Sequence, residues 1–522
     1  MASKVTATNL VLQNTYRDSV VLMRLSQQME SWQEVDQATA MMGTPSNVAL
    51  LEQAGLLTGG PQAIGPNDLV IALQISMPDS LESVENRARE LFTAAASAGD
   101  AKDEYRPRTL DGALKALPNA NLAVVSVPGQ YAAYEARKAL DRGLNVLLFS
   151  DNVSLDQEVE LKRRAIERGL FMLGPDCGTA IIDGVPLGFA NVVPSGSIGL
   201  VSASGTGLQQ ITCLIGGAGG GVSQALGVGG RDLEDGVGGA MMLKGLRALD
   251  DDPGTAVVVL VSKPPGPATA QKVFAALERC TKPSVVCFLG AEGGPSAASN
   301  VFVESTLEGA ASKALALAGV QGGRAIVPGP PADQLERLDA SLGEGGRRIR
   351  GFYSGGTLCY EALLVLRGQT EEVRSNLRLA GVLPIENGEE RAGHLLLDLG
   401  HEQFTVGRPH PMIDPGPRCK RLVQAAKDPD VGILLLDVVL GYGAHPDPAS
   451  QLAPAILEAQ RMASGDGRAL VCVVALIGTV GDPQDLDKQR AALAAVGAVV
   501  VPSNLKAATI AAGLSHGTAS SS

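Results

Sequence analysis

Ser202-Ala203-Ser204-Gly205-Thr206-Gly207 and Tyr353-Ser354-Gly355-Gly356-Thr357-Leu358 decide how the rest of this chain is read. Each follows a short apolar run, Ile198 to Val201 and Ile349 to Phe352, and opens an apolar-periodic segment. Each therefore reads as strand, glycine turn and helix N-terminus. That arrangement aims free backbone N–H groups and the positive end of a helix dipole at one spot, which suits an anion. Gly205, Gly355 and Gly356 let the backbone approach closely, while Ser204, Thr206, Ser354 and Thr357 can cap or donate. These residues form the candidate phosphate-binding set.

Downstream of the two turns the sequence repeats itself. After the first come a helix (Leu208 to Ile215), a strand (Val222 to Gly227), the loop Gly229-Gly230-Arg231-Asp232 and a helix (Gly239 to Leu249). Asp251-Asp252-Pro253 then precedes an apolar strand, Ala256 to Val261. After the second turn come a helix (Thr357 to Leu366), a strand (Leu395 to Leu399), a loop (Gly400 to Pro417) and a helix (Arg418 to Ala426). Asp428-Pro429-Asp430 again stands before an apolar strand, Gly432 to Asp437. Such a duplication places two similar domains face to face with one site between them. The Pro- and Gly-rich Val327 to Pro331 and Gly343 to Gly346 read as the linker.

Upstream, strands at Ala123–Val127, Asn145–Phe149 and Leu170–Leu173 alternate with helices at Tyr131–Arg142 and Leu155–Arg168, the pattern of parallel βαβ units. No GxGxxG or P-loop occurs there, so a complete dinucleotide or ATP site is not indicated. Residues 1–115 are least legible: a turn over Ala40 to Asn47, a helix over Val48–Ala54, a strand over Leu69–Gln74 and a helix over Ser80–Ala98 are expected. The domain plan is 1–115, an α/β extension; 116–195, a Rossmann-like domain; 196–335 and 345–515, two flavodoxin-like domains; and a disordered tail, 516–522.

Composition bounds the function. The 522 residues carry 63 glycines and only 3% aromatics, which favours α/β layers with short turns. A net charge of −12 argues against nucleic acid or an anionic membrane surface as partner but leaves a small anionic substrate open. The seven cysteines are scattered with no CxxC, so buried thiols are expected and no metal site. No signal sequence or membrane-length apolar run is present, and a cytoplasmic protein is expected.

The motifs also carry a resemblance. Gly199 to Thr206, with Asp252-Pro253 and its strand, resembles the α subunit of succinyl-CoA synthetase. Val127 to Gly178, ending in Gly174-Pro175-Asp176-Cys177-Gly178, is similar to the CoA-binding domain before it. Leu399-Gly400, Arg421 to Asp430 and Leu434 to Gly443 look like the carboxy-terminal domain of that enzyme's β subunit. With Tyr16 to Val20, Met42-Gly43-Thr44, Gly407 to Pro415 and Asp437 to His445, the whole chain resembles the FdrA family, whose members are named after acyl-CoA synthetases and some of which serve oxamate carbamoyltransferase. The synthetases pass phosphate through a histidine, but here no histidine precedes His394, and the ATP-grasp domain is absent. The resemblance thus implies a subunit of a carbamoyltransferase complex, phosphorolysing a ureido acid such as oxalurate to carbamoyl phosphate and oxamate. Inorganic phosphate is then a substrate and no cofactor is implied with certainty. The alternatives are an acyl-CoA synthetase using CoA with a separate ATP-binding chain, and a non-catalytic scaffold. Companion subunits and a homo- or hetero-oligomer are expected in each case.

Arg408, His410 and Asp414 form the densest polar constellation, stiffened by Pro409, Pro411 and Pro415. Arg408 can bind a carboxylate or phosphate in bidentate fashion, and His410 can move a proton near neutral pH. His445, after Gly441-Tyr442-Gly443, is a further catalytic candidate at a strand's carboxyl end. Structural roles compete at every position and are favoured at several: His401 and Glu402 as a solvated loop, Arg231 and Asp232 as ion-pairing residues, His394 and His516 at the surface, and Cys177 as a packed thiol.

Overall fold

A computed structural model describes residues 6–15, 19–30, 32–44, 47–48, 51–52, 56–57, 64–77, 80–97, 107, 109–290, 300–320, 329–343, 346–370, 372–385, 392–405 and 409–517. The chain divides between Thr109 and Leu110 into two units.

In the first unit, β1 (Thr6–Leu12), β2 (Val35–Met42) and β3 (Leu69–Ile75) form an antiparallel sheet in the order β1-β3-β2. β3 reads Leu-Val-Ile-Ala-Leu-Gln-Ile and is buried on both faces, as the central position requires. The helices Ser19–Glu30 and Leu81–Ser97 contribute Leu22, Met29, Val84 and Phe92 to its core. The turn expected over Ala40 to Asn47 begins later: Ala40 to Met42 finish β2, because they pair with Ile71, Val70 and Leu69 of β3. Most of the helix expected over Val48–Ala54 lies outside the described residues.

The second unit starts with the short helix Leu110–Ala116 and three parallel strands, β4 (Leu122–Val125), β5 (Asn145–Leu148) and β6 (Met172–Leu173), joined by the helices Gly129–Asp141 and Leu155–Glu167. β7 (Thr179–Ile182) and β8 (Val185–Gly188) follow as a hairpin. Sequence places that hairpin in the 116–195 domain, but β7 pairs with the next sheet. That sheet holds β9 (Ser195–Ser202), β10 (Val222–Gly227), β11 (Val257–Ser262), β12 (Ser284–Phe288) and β13 (Val301–Val303), in the order β13-β12-β11-β9-β10-β7-β8.

A second seven-stranded sheet, parallel throughout, comprises β14 (Arg348–Tyr353), β15 (Val373–Ser375), β16 (Leu383–Pro384), β17 (His394–Asp398), β18 (Val431–Val439), β19 (Val471–Ile477) and β20 (Val499–Val501), in the order β16-β15-β17-β14-β18-β19-β20. The expected linker contains a helix, Ala332–Leu342, and the expected loop over Gly400 to Pro417 contains a helical turn, Glu402–Thr405.

β9 and β14 are the internal strands at which each sheet's order turns back, with β10 and β11 flanking one and β17 and β18 the other. In open α/β sheets such switch points leave a crevice at the carboxyl ends of the strands. The helices that leave them, Gly205–Gly217 and Gly356–Arg367, are apolar around most of their circumference and bury nine of 13 and eight of 12 residues. They share one core, in which Leu208 and Ile211 join Leu358, Leu363 and Ile510.

Candidate functional site

The two glycine turns meet. Ser204 Oγ donates to Thr357 Oγ1 at 2.6 Å, and a Cβ at Gly355 would stand 2.6 Å from Thr206 Oγ1. The turns are similar but not held alike. Ser204 is the N-cap of the first helix and its Oγ accepts from Gly207 N–H at 3.0 Å. The equivalent N-cap of the second helix is Gly355, which has no side chain to cap with. There the buried Asp437 of β18 takes over: Oδ1 accepts from Ser354 N–H (2.8 Å), and Oδ2 accepts from Ser354 Oγ (2.9 Å) and Gly355 N–H (2.9 Å). Arg418, itself buried, donates to Asp437 Oδ1 at 3.0 Å and to the Phe352 carbonyl.

The expected phosphate-binding set is therefore narrowed by the structure. The donors of Ser354 and the N–H of Gly355 are spent on Asp437 and do not face a ligand. The N–H groups of Gly205 and Thr206, and of Gly356 and Thr357, have no acceptor among the described residues. They are the first helical positions, whose N–H groups lack an intrahelical partner by geometry.

Side chains from two strand ends stand beside the donors of the second turn. Lys263 directly follows β11, and its Nζ lies 3.5 Å from where a Cβ on Gly356 would stand; Asp398 Oδ2, at the end of β17, lies 2.5 Å from the same point. Lys263 makes no hydrogen bond or ion pair with any described residue. Asp398 is 5% exposed, and its Oδ1 accepts from Gly400 N–H at 3.0 Å. Burial raises its carboxyl to about 6, against the opposing pull of Lys263 and His401. Asp176 reaches solvent, yet the protein hems it in closely enough that desolvation, with Asp151 and Glu402 as like charges, raises it to about 7. Lys263 and Arg231 oppose that rise.

Among the sequence-predicted residues, His410 comes to the second turn. A Cβ on Gly400 would touch both Ser354 O (2.6 Å) and His410 Nε2 (2.7 Å), and the His410 ring stacks on Phe189 at 5.4 Å. His410 Nδ1 accepts from Met412 N–H at 3.2 Å, so Nε2 carries the proton of the neutral ring. Burial, with Arg418 nearby, lowers it to about 4, so the neutral form dominates at neutral pH and the expected proton exchange near neutrality is not favoured. His445 is fastened elsewhere: its Nδ1 accepts from Asp447 N–H at 3.0 Å, its own N–H donates to Met412 O, and half-burial lowers its pKa. Arg408 lies outside the described residues.

Several structural roles emerge for the other candidates. Cys177 is packed, donates to Gly227 O, and is pushed up to about 12 by burial. Arg231 and Asp232 do not pair with each other: Arg231 meets Glu158 at 3.0 Å, and Asp232 meets the buried Lys162 at 2.7 Å. His401, Glu402 and His516 are exposed. His394 is half-buried; its Nδ1 accepts from Ile349 N–H, and burial lowers it to about 4. Lys263, Asp398, Asp176 and Asp437 were missed as site residues, although Asp398 and Asp437 lie at the carboxyl ends of expected strands and Lys263 just beyond another, at the edge where α/β sites lie.

Comparison with known proteins places these features in a family context. The model of the AllF heavy metal-associated domain matches residues 5–107, and the CoA-ligase model matches residues 352–514. YahF of Escherichia coli K12 is 41% identical over 492 residues, which cover 94% of this chain and 95% of YahF. The α subunit of the ADP-forming succinate–CoA ligase of Methanothermobacter thermautotrophicus is 28% identical over 43% of this chain and 75% of its own length. The ADP-forming sulfoacetate–CoA ligase subunit SqwL of an Acholeplasma is 28% identical over 32% of this chain and 58% of its own. A heavy metal does not fit the first unit, since residues 1–107 contain neither cysteine nor histidine. Among the described residues no cluster of His, Cys, Asp or Glu is built to hold a metal ion, and no helix is long and apolar enough to cross a membrane.

Proposed function

Because this chain belongs to the family of YahF and carries a CoA-ligase domain, we propose that it is the ligase-type subunit of an enzyme that handles an acyl phosphate. The observation that carries the reading is the pair of facing helix N-termini with unspent N–H groups at Gly205, Thr206, Gly356 and Thr357. Each helix end contributes roughly half a positive charge, and Lys263 adds a full one. The phosphate of an acyl phosphate sits between them, and positioning and charge stabilisation lower the barrier to transfer. In the preferred form the acyl group passes between phosphate and CoA, with a separate chain supplying the nucleotide.

A second reading keeps the same site but removes CoA. Carbamoyl phosphate is itself an acyl phosphate, and phosphorolysis of oxalurate to carbamoyl phosphate and oxamate needs no histidine relay. It is favoured by the absence of any histidine before His394.

The deciding experiment uses the full chain, alone and copurified with its companion subunits. Thioester formation from carboxylic acids, CoA and ATP supports the ligase form; carbamoyl phosphate from oxalurate and phosphate supports the second. Calorimetry with phosphate and acetyl phosphate tests the site itself, and Lys263→Met should weaken binding about tenfold. No binding of either anion at millimolar concentration refutes both readings.

A further inference from the structure

Asp398 is the one buried carboxylate at this site with an oxygen left unspent. Both oxygens of Asp437 are taken by Ser354, Gly355 and Arg418. In Asp398, the Gly400 N–H fixes Oδ1, while Oδ2 has no donor among the described residues and lies against Gly356, the first residue of a 12-residue helix. The residue is 5% exposed, yet the protein does not seal Oδ2 off, so an incoming phosphorus can reach that oxygen. Next to it stand the other requirements for receiving a phosphoryl group: the N–H groups of Gly356 and Thr357 to bind non-bridging oxygens, and the unpaired Lys263 ammonium to offset the meeting of two anions. In His410, Nδ1 is occupied by Met412 N–H, so the neutral ring carries its proton on Nε2 and offers no free lone pair to phosphorus.

We propose that Asp398 is a covalent phosphoryl acceptor, forming an aspartyl phosphate on Oδ2 with an acyl phosphate as donor. The proposal rests on the acyl-phosphate reading above. Oδ2 attacks phosphorus, the new Oδ2–P bond forms, and the bond from phosphorus to the bridging oxygen breaks. The electron pair leaves with the acyl carboxylate, and no proton has to move. Run in reverse, a bound carboxylate takes the phosphoryl group from Asp398, so the residue supplies the step for which no histidine stands in the first 393 positions.

The test incubates the full chain with radiolabelled acetyl phosphate or carbamoyl phosphate and magnesium. The expected result is about one phosphate per chain, stable to acid and released by hydroxylamine. Borohydride reduction should convert Asp398 to homoserine in the wild-type chain, a readout that needs no variant. Asp398→Asn should lose the label yet bind phosphate at least as tightly, since a like charge has gone. Lys263→Met should slow labelling more than tenfold. An acid-labile label, a label mapped to another residue, or phosphate binding without label from either donor overturns this proposal alone. Failure of phosphate to bind at all overturns it together with the reading beneath it.

Discussion

Removing the Asp437 carboxylate should dismantle the second turn. Asp437→Ala deletes the acceptor of four hydrogen bonds, from Ser354 N–H, Ser354 Oγ, Gly355 N–H and Arg418. It also leaves Arg418, 2% exposed, without its counter-charge. Breaking one side of a buried ion pair costs about 3–5 kcal/mol. Arg418 retains the Phe352 and Asp437 carbonyls as acceptors, which holds the cost towards the lower end of that range. The stranded donors of Ser354 and Gly355 push it back up, at about 1–3 kcal/mol for each one that water does not reach. A loss of about 4 kcal/mol is therefore expected, measured as the shift in urea midpoint at constant m-value. Asp437→Asn, which keeps an acceptor oxygen but not the charge, should fall between the variant and wild type. A loss below about 1 kcal/mol for Asp437→Ala would refute the claim that this carboxylate holds the turn.

Three other outcomes follow from the geometry. Gly355→Ala places a methyl 2.6–2.8 Å from Thr206 Oγ1, Cγ2 and Cβ; forcing the turns apart should cost about 1–3 kcal/mol and weaken phosphate binding more than tenfold by calorimetry, and adding Thr206→Gly should restore much of both. Lys162→Met removes the ammonium 2.7 Å from each of the buried carboxylates of Glu158 and Asp232, which keep only Arg231 and the Met241 and Met242 N–H groups, and should cost about 3 kcal/mol by urea denaturation. His410 and His394 are lowered to about 4, below the usual value near 6.5, so the unfolded chain binds more protons between those values. Their stabilising contribution is complete above about pH 6.5 and is lost as the pH falls towards about 4. The acid sensitivity of the urea midpoint should accordingly be smaller in His410→Gln than in wild type.

Much of the fold was legible because the signals are local. Ile198 to Val201, Gly432 to Asp437 and their fellow apolar runs alternate with helical segments, and the Asp-Pro breaks mark the duplication. The misreadings share a cause. Ala40 to Met42 are strand, β7 and β8 join the neighbouring sheet, and a helix at Ala332–Leu342 occupies the expected linker. Each was settled by pairing or burial against distant residues, which outweighs the turn and breaker residues nearby.

The sequence by itself determined that two strand–turn–helix units exist and that their helix N-termini carry open donors, since both follow from residue types within a few positions. Only the tertiary structure decided which donors remain open. Asp437 and Ser354 are 83 residues apart, and Lys263 and Asp398 arrive at Gly356 from two different sheets. Their meeting depends on strand order and on the packing of two helices in one core. Neither leaves a trace in local periodicity, so the identity of the charged groups around the anion site became visible only once the chain was folded.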